Sequence, residues 1–175
     1  MVVSCKEDYT LKPVGQVRLE YPEAVYKQFN SNCGYAFEFS NHSQSIQKGK
    51  DPCWYVLYYP EMKANIYLTY FKINGKEDLA SKIKDSEKLV QEQTVKASYI
   101  SPREFLFDEK KVYGTLFELG GESAINIQFH ATDSTQNLLS GSVYFSTPPK
   151  FDSLQPAINY IKKDVVHLIE TLEWK

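Results

Sequence analysis

The sequence predicts one α+β domain: an antiparallel sheet with a C-terminal helix on one face and a second helix on the other. Three observations carry this. Leu154, Ile158, Ile161, Val165, Leu168, Ile169 and Leu172 recur at spacings of three and four, the stripe of an amphipathic helix. Ahead of it, Ile125, Ile127, Phe129 and Ala131 alternate with Asn126, Gln128, His130 and Thr132, the period of a half-buried strand. Further upstream, Trp54, Val56 and Tyr58 oppose Tyr55, Leu57 and Tyr59. A strand apolar on both faces needs cover on both, which a helix on each side supplies.

The elements follow in order. Val17–Tyr21 alternates as a first strand that Pro22 ends, and Ala36–Phe39 is a short second strand. Asn41–Asp51 is polar and reads as a loop. Cys53–Tyr59 and Ala64–Phe71 form a hairpin around Pro60-Glu61. Asn74-Gly75 turns the chain into a helix over Asp78–Glu92, with Asp78 as its cap and Leu79, Ile83, Ser86 and Val90 inward. Tyr99–Phe107 is an edge strand, because Pro102 lacks a ladder donor. Val112–Leu119, Ser123–Thr132 and Leu138–Phe145 form a meander with turns at Gly120-Gly121 and Asp133–Asn137. Asp152 and Ser153 cap the last helix, and Pro156 sits in its first turn, where a missing N–H costs nothing. Asn159, Lys162, Lys163, Asp164, His167 and Glu170 form its wet side.

Composition excludes several functions. The chain has 175 residues, 14 % of them aromatic, which suits strands. Lys and Arg number 20 against 22 Asp and Glu, with no basic cluster, so the electrostatic footprint of a nucleic-acid binder is lacking. No apolar run approaches the roughly 20 residues of a membrane-spanning helix.

The first residues read as an anchor. Val2, Val3 and Ser4 before Cys5 match the end of a bacterial lipoprotein signal, with Met1 in place of the removed part. The alternative is an ordinary N-terminus with an incidental cysteine; the polar stretch Lys6–Lys12 favours a lipid at Cys5. Residues 1–12 are thus expected to be lipobox remnant and flexible tether, and residues 13–175 the domain. Cys33 and Cys53 remain and flank the polar loop. In an oxidising envelope they are expected to pair, stabilising the fold by roughly 3 kcal/mol.

Chemistry is harder to find. His130, Asp133 and Ser134 lie close in sequence, but no nucleophile elbow accompanies them, and Asp133–Thr135 reads as a turn. Asp164 and His167 read as a surface pair on a helix. No CxxC, His spacing or glycine-rich phosphate loop marks a metal or phosphate site, so no cofactor is expected. Asp133-Ser134-Thr135 and Asp152-Ser153-Leu154 also resemble an Asp-Ser/Thr-apolar triplet for O-glycosylation of exported proteins; a hairpin turn and a helix cap are the stronger readings.

The segment Asp152–Lys175, Thr132–Thr135 followed by Gly141–Phe145, Val95–Ala97, and Cys53-Trp54 with its strand resemble the gliding-motility lipoproteins called GldD, from Bacteroidetes. The resemblance runs from Leu11 onward. It implies an N-terminal lipid, a periplasm-facing place in the cell envelope with surface exposure as a variant, and membership of the gliding and associated secretion apparatus. The membrane protein GldE is the partner it implies. It carries over no catalytic residues. The order of elements also resembles the Mog1/PsbP-like fold, an analogy that says nothing of function.

The expected function is therefore a lipid-anchored, non-enzymatic interaction component. Tyr58, Tyr59 and Tyr67 are its candidate partner surface, because tyrosine joins a large contact area to a polar tip. The alternative is a ligand-binding lipoprotein that uses the polar face with Asn126, Gln128, His130 and Tyr144.

Overall fold

The computed structural model describes residues 20–47, 50–146 and 151–175, with Phe151 and Asp152 by backbone only. Among these, ten strands and two helices form an α+β fold. The strands are β1 (Tyr26–Asn30), β2 (Tyr35–Ser40), β3 (Gln44–Gln47), β4 (Tyr55–Tyr59), β5 (Ala64–Lys72), β6 (Ala97–Phe107), β7 (Val112–Gly121), β8 (Ile125–Thr132), β9 (Asn137–Phe145) and β10 (Glu173–Trp174). The helices are α1 (Lys76–Glu92) and α2 (Phe151–Glu170). A seven-stranded sheet runs β3-β4-β5-β9-β8-β7-β6, and a three-stranded sheet runs β1-β2-β10. Every pair is antiparallel.

The large sheet has two different faces. Pairings such as Ile66 with Val143 and Leu116 with Phe129 put aliphatic and aromatic residues on face one. There α2 buries Ile158, Ile161, Val165, Leu168 and Ile169, and Leu172 just beyond its end is buried as well. The small sheet joins it: Phe29 packs edge-on to Tyr55 at 4.8 Å, and Tyr35 stacks on Tyr70 at 5.2 Å. One core results, containing Phe37 and Phe39 together with Leu57, Ile127 and Val165. Face two carries α1, which packs against β8 and buries only Ser86 and Val90 of its own residues.

Several sequence expectations are changed by pairing. The strand at Val17–Tyr21 falls mostly outside the described residues, and Glu20 and Tyr21 belong to no strand. The first described strand is β1, whose sequence YKQFN hardly alternates. The polar loop contains β3, which forms because its backbone completes the free edge of β4. The last helix gives way to β10, two residues that pair with β2. Helix α1 starts two residues earlier than expected, at Lys76; Asp78 lies in its first turn and accepts the Asn74 N–H instead of capping. Pro102 is in β6, an edge strand, as expected. Cys5 and the tether lie outside the described residues, as does the Asp152 side chain.

Candidate functional site

Cys33 and Cys53 form a disulfide that ties the turn before β2 to the turn before β4. It links the small sheet covalently to the large one. Tyr35 reinforces the link, its hydroxyl donating to the Cys53 carbonyl at 3.2 Å.

The three tyrosines proposed for a surface separate. Tyr59 is 1 % exposed and serves the core. Its side chain lies on face one, where the hydroxyl donates to Asp164 Oδ2 at 3.0 Å. Tyr58 and Tyr67 point to face two and are half-buried. Period-two alternation between Tyr58 and Tyr59 demands this split; only the placement of the core says which of the two is inside.

Asp164 is the buried acid that sequence reasoning left on the wet side of α2. It is 4 % exposed. Tyr26 of β1 donates to its Oδ1 at 2.8 Å. The Tyr26 ring stacks on His167 with centroids 3.6 Å apart, and His167 Nε2 lies 2.8 Å from Glu38 Oε2. Burial raises the Asp164 pKa from its ordinary value, outweighing the two tyrosine hydrogen bonds that lower it. A sequence signal existed: Asp164 stands three residues after Ile161 and four before Leu168, at the border of the apolar stripe.

His130, Asp133 and Ser134 form no triad. His130 is 5 % exposed, its Nδ1 has no hydrogen-bond partner, and burial lowers its pKa. Asp133 Oδ1 accepts the N–H groups of Thr135, Gln136 and Asn137, holding the turn from β8 to β9. Partial burial would raise the Asp133 pKa; those bonds and the Asn137 amide outweigh it and bring it to about 2. Ser134 sits in the turn with φ 65°. Among the described residues no group of three His, Cys, Asp or Glu is placed to hold a metal ion.

The predicted ligand face is divided by α1. Asn126, Gln128 and His130 are buried, so they offer no open face. The reason is the polar character of α1 itself, which matches a polar strip of sheet. Gln128 Nε2 donates to Ser86 Oγ of α1 at 3.1 Å and to Ser140 Oγ at 3.3 Å. Ser142 Oγ donates to Gln128 Oε1. Tyr144 lies beyond the helix and remains half-buried, 5.5 Å from Tyr67 with the rings at 83°.

Beside α1 this arrangement leaves a trough on face two. One part, about 180 Å³, is lined by Tyr67, Thr69, Lys82, Asp85, Ser140 and Ser142, among others. The other, about 450 Å³, is lined by Asn65, Tyr67, Ser142, Tyr144 and Ser146. Further towards the β3 edge, Ile46 and Trp54 are 48 % and 43 % exposed.

In comparison with known proteins, the family model described as gliding motility lipoprotein GldD matches residues 6–174. None of the curated proteins compared with the chain matches it.

Proposed function

The chain belongs to the gliding motility lipoprotein GldD family, and from that premise we propose that it is a lipid-anchored envelope component that acts by binding another protein. The anchor is the lipidated Cys5, facing the periplasm, with Val2, Val3 and Ser4 before it and a polar tether after it. One acyl chain holds a protein marginally and two or more hold it stably. No helix among the described residues is long and apolar enough to cross a membrane.

The observation that carries the reading is the β3–β4 end of face two. Among the described residues β3 pairs only with β4, so its outer backbone edge is open to an incoming strand. Ile46, Trp54 and Tyr58 stand beside that edge. An open edge gives main-chain hydrogen bonds, and adjacent apolar side chains give specificity. The partner is an envelope protein of the gliding and secretion apparatus, with GldE the first to test. In this reading the domain performs no chemistry.

Two measurements test it. Cys5→Ala, expressed behind a native signal, should leave the membrane fraction. Tyr58→Ala should weaken capture of purified GldE by ~1–2 kcal/mol while the domain stays folded. Equal capture by the wild type and Tyr58→Ala would remove this surface from the proposal.

A further inference from the structure

We propose that the trough beside α1 binds a chain of uncharged pyranose sugars. The site goes beyond the protein-binding role, and the residues that test it are different.

Its floor is built for hydrogen bonding. Gln128 is completely buried in the middle of the sheet. A buried amide is costly unless its groups are paired, and here they are paired with three serines. Those serines are the ones that line the trough: Ser86 from α1, Ser140 and Ser142 from β9. The amide fixes their roles. Ser142 gives its proton to Gln128, so its oxygen is left as an acceptor for the trough. Ser86 and Ser140 each accept from Gln128; Ser140 gives its own proton to the Phe129 carbonyl at 3.4 Å, which leaves the Ser86 proton, 3.3 Å from Ser140 Oγ, as the donor that can turn to the trough. Acceptors and donors thus stand side by side, held before any ligand arrives. Neighbouring hydroxyls of a sugar need that mixture, since each both donates and accepts.

The walls select the same ligand. Tyr67 and Tyr144 meet edge to face, and both rings line the open part of the trough. The electron-rich face of an aromatic ring attracts the weakly positive C–H bonds on one side of a pyranose. Asn65 adds an amide at the β5 side. Among the described residues the charged ones in the lining are Lys82 and Asp85, one of each sign. The Lys82 ammonium is 5.2 Å from the centroid of the Phe71 ring, already held over an aromatic face. Among the described lining residues there is no cationic cluster for a polyanion. A lipid tail would desolvate the serine hydroxyls without replacing their hydrogen bonds. The two parts, of about 450 and about 180 Å³, adjoin at Tyr67 and Ser142, which line both. The larger part is within the usual range for a bound small molecule, and the open side accommodates a chain that continues beyond the site.

The test is calorimetric titration of the folded, disulfide-bonded chain with three probes: tetra-N-acetylchitotetraose, cellohexaose and maltohexaose. At least one should bind with a dissociation constant below about 10 mM. Asn65→Ala and Tyr144→Ala should each weaken that binding at least tenfold. Preference for the acetylated tetramer assigns the source to a peptidoglycan-like strand; preference for an unsubstituted glucan assigns it to a surface polysaccharide. Circular dichroism checks that each variant is folded, and Asn65→Ala, which removes only a half-buried amide, covers the case in which Tyr144→Ala is not. Absence of binding by all three probes, or binding untouched by a folded Asn65→Ala and Tyr144→Ala, would overturn the site. Either result leaves capture of GldE through Tyr58 to be judged by itself.

Discussion

Tyr59 donates its hydroxyl to Asp164 at 3.0 Å, joining β4 to α2 across 105 residues of sequence. Tyr26 completes the arrangement from β1, so one carboxylate holds the large sheet, the small sheet and the helix together. A buried acid is tolerated there because both of its oxygens have donors. Burial also pushes up the pKa of both tyrosines, so they stay protonated and remain donors.

The first prediction concerns this junction. Tyr59→Phe keeps the ring and removes one donor from a buried acid, and should cost roughly 1–3 kcal/mol. Asp164 also gives stability a pH dependence. Its folded pKa lies above the ordinary 3.8, so the folded state holds its proton where the unfolded state has lost it. The contribution is therefore fullest below 3.8 and is lost as the pH rises through the folded value. Asp164→Asn should remove that decline. Urea denaturation from about pH 4 to about pH 7 should show the gap between wild type and variant changing with pH; parallel curves would refute the assignment.

His130 predicts a dependence of the opposite sign. Burial lowers its pKa below the ordinary 6.5, so the unfolded state takes up a proton first as the pH falls. Stability should drop as the pH decreases from 6.5 towards the folded value. His130→Gln should flatten that slope. Denaturation at about pH 7.5 and about pH 5.5 provides the check, with Asp164→Asn as a shared background that isolates the histidine.

The disulfide spans 20 residues and joins the two sheets. Replacing Cys33 and Cys53 together by Ser should lower stability by about 3 kcal/mol in the chain-entropy account. Peptide mapping without reduction, on protein taken from the envelope, should recover the linked pair. Two freely alkylated thiols would count against an oxidised site in the cell.

Two glycines allow strands and rings to approach closely. A Cβ on Gly114 would lie 2.1 Å from the His130 carbonyl oxygen, which is backbone of the neighbouring strand. A Cβ on Gly141 would lie 2.2 Å from Phe129 Cε1, which belongs to a side chain. Both Ala variants should destabilise, by about 1–3 kcal/mol or more. Phe129→Leu should recover part of the loss in Gly141→Ala and none in Gly114→Ala. A double-mutant cycle by thermal or urea unfolding measures this difference.

Local pattern determined much of this protein. The stripe of α2, the alternation of β8 and β9, the hairpin of β4 and β5 and the edge position of β6 all follow from residue spacing and from one proline. The family was legible in the same stretches. The elements that spacing did not reveal are short strands with too few apolar residues to show a period. β3 has Ile46 as its one apolar residue and exists because β4 offers it an unpaired edge, and β10 has two residues and exists because β2 does. The inside of the molecule also held residues read as surface. Asp164 belongs to the polar side of α2, yet the small sheet lies against that side; Gln128 and His130 alternate with the apolar residues of β8, yet α1 covers them. Periodicity states which side of an element is apolar. Whether the polar side meets water or another element depends on packing between segments distant in sequence, 42 residues apart for Ser86 and Gln128 and 138 for Tyr26 and Asp164, and this only the tertiary structure decided.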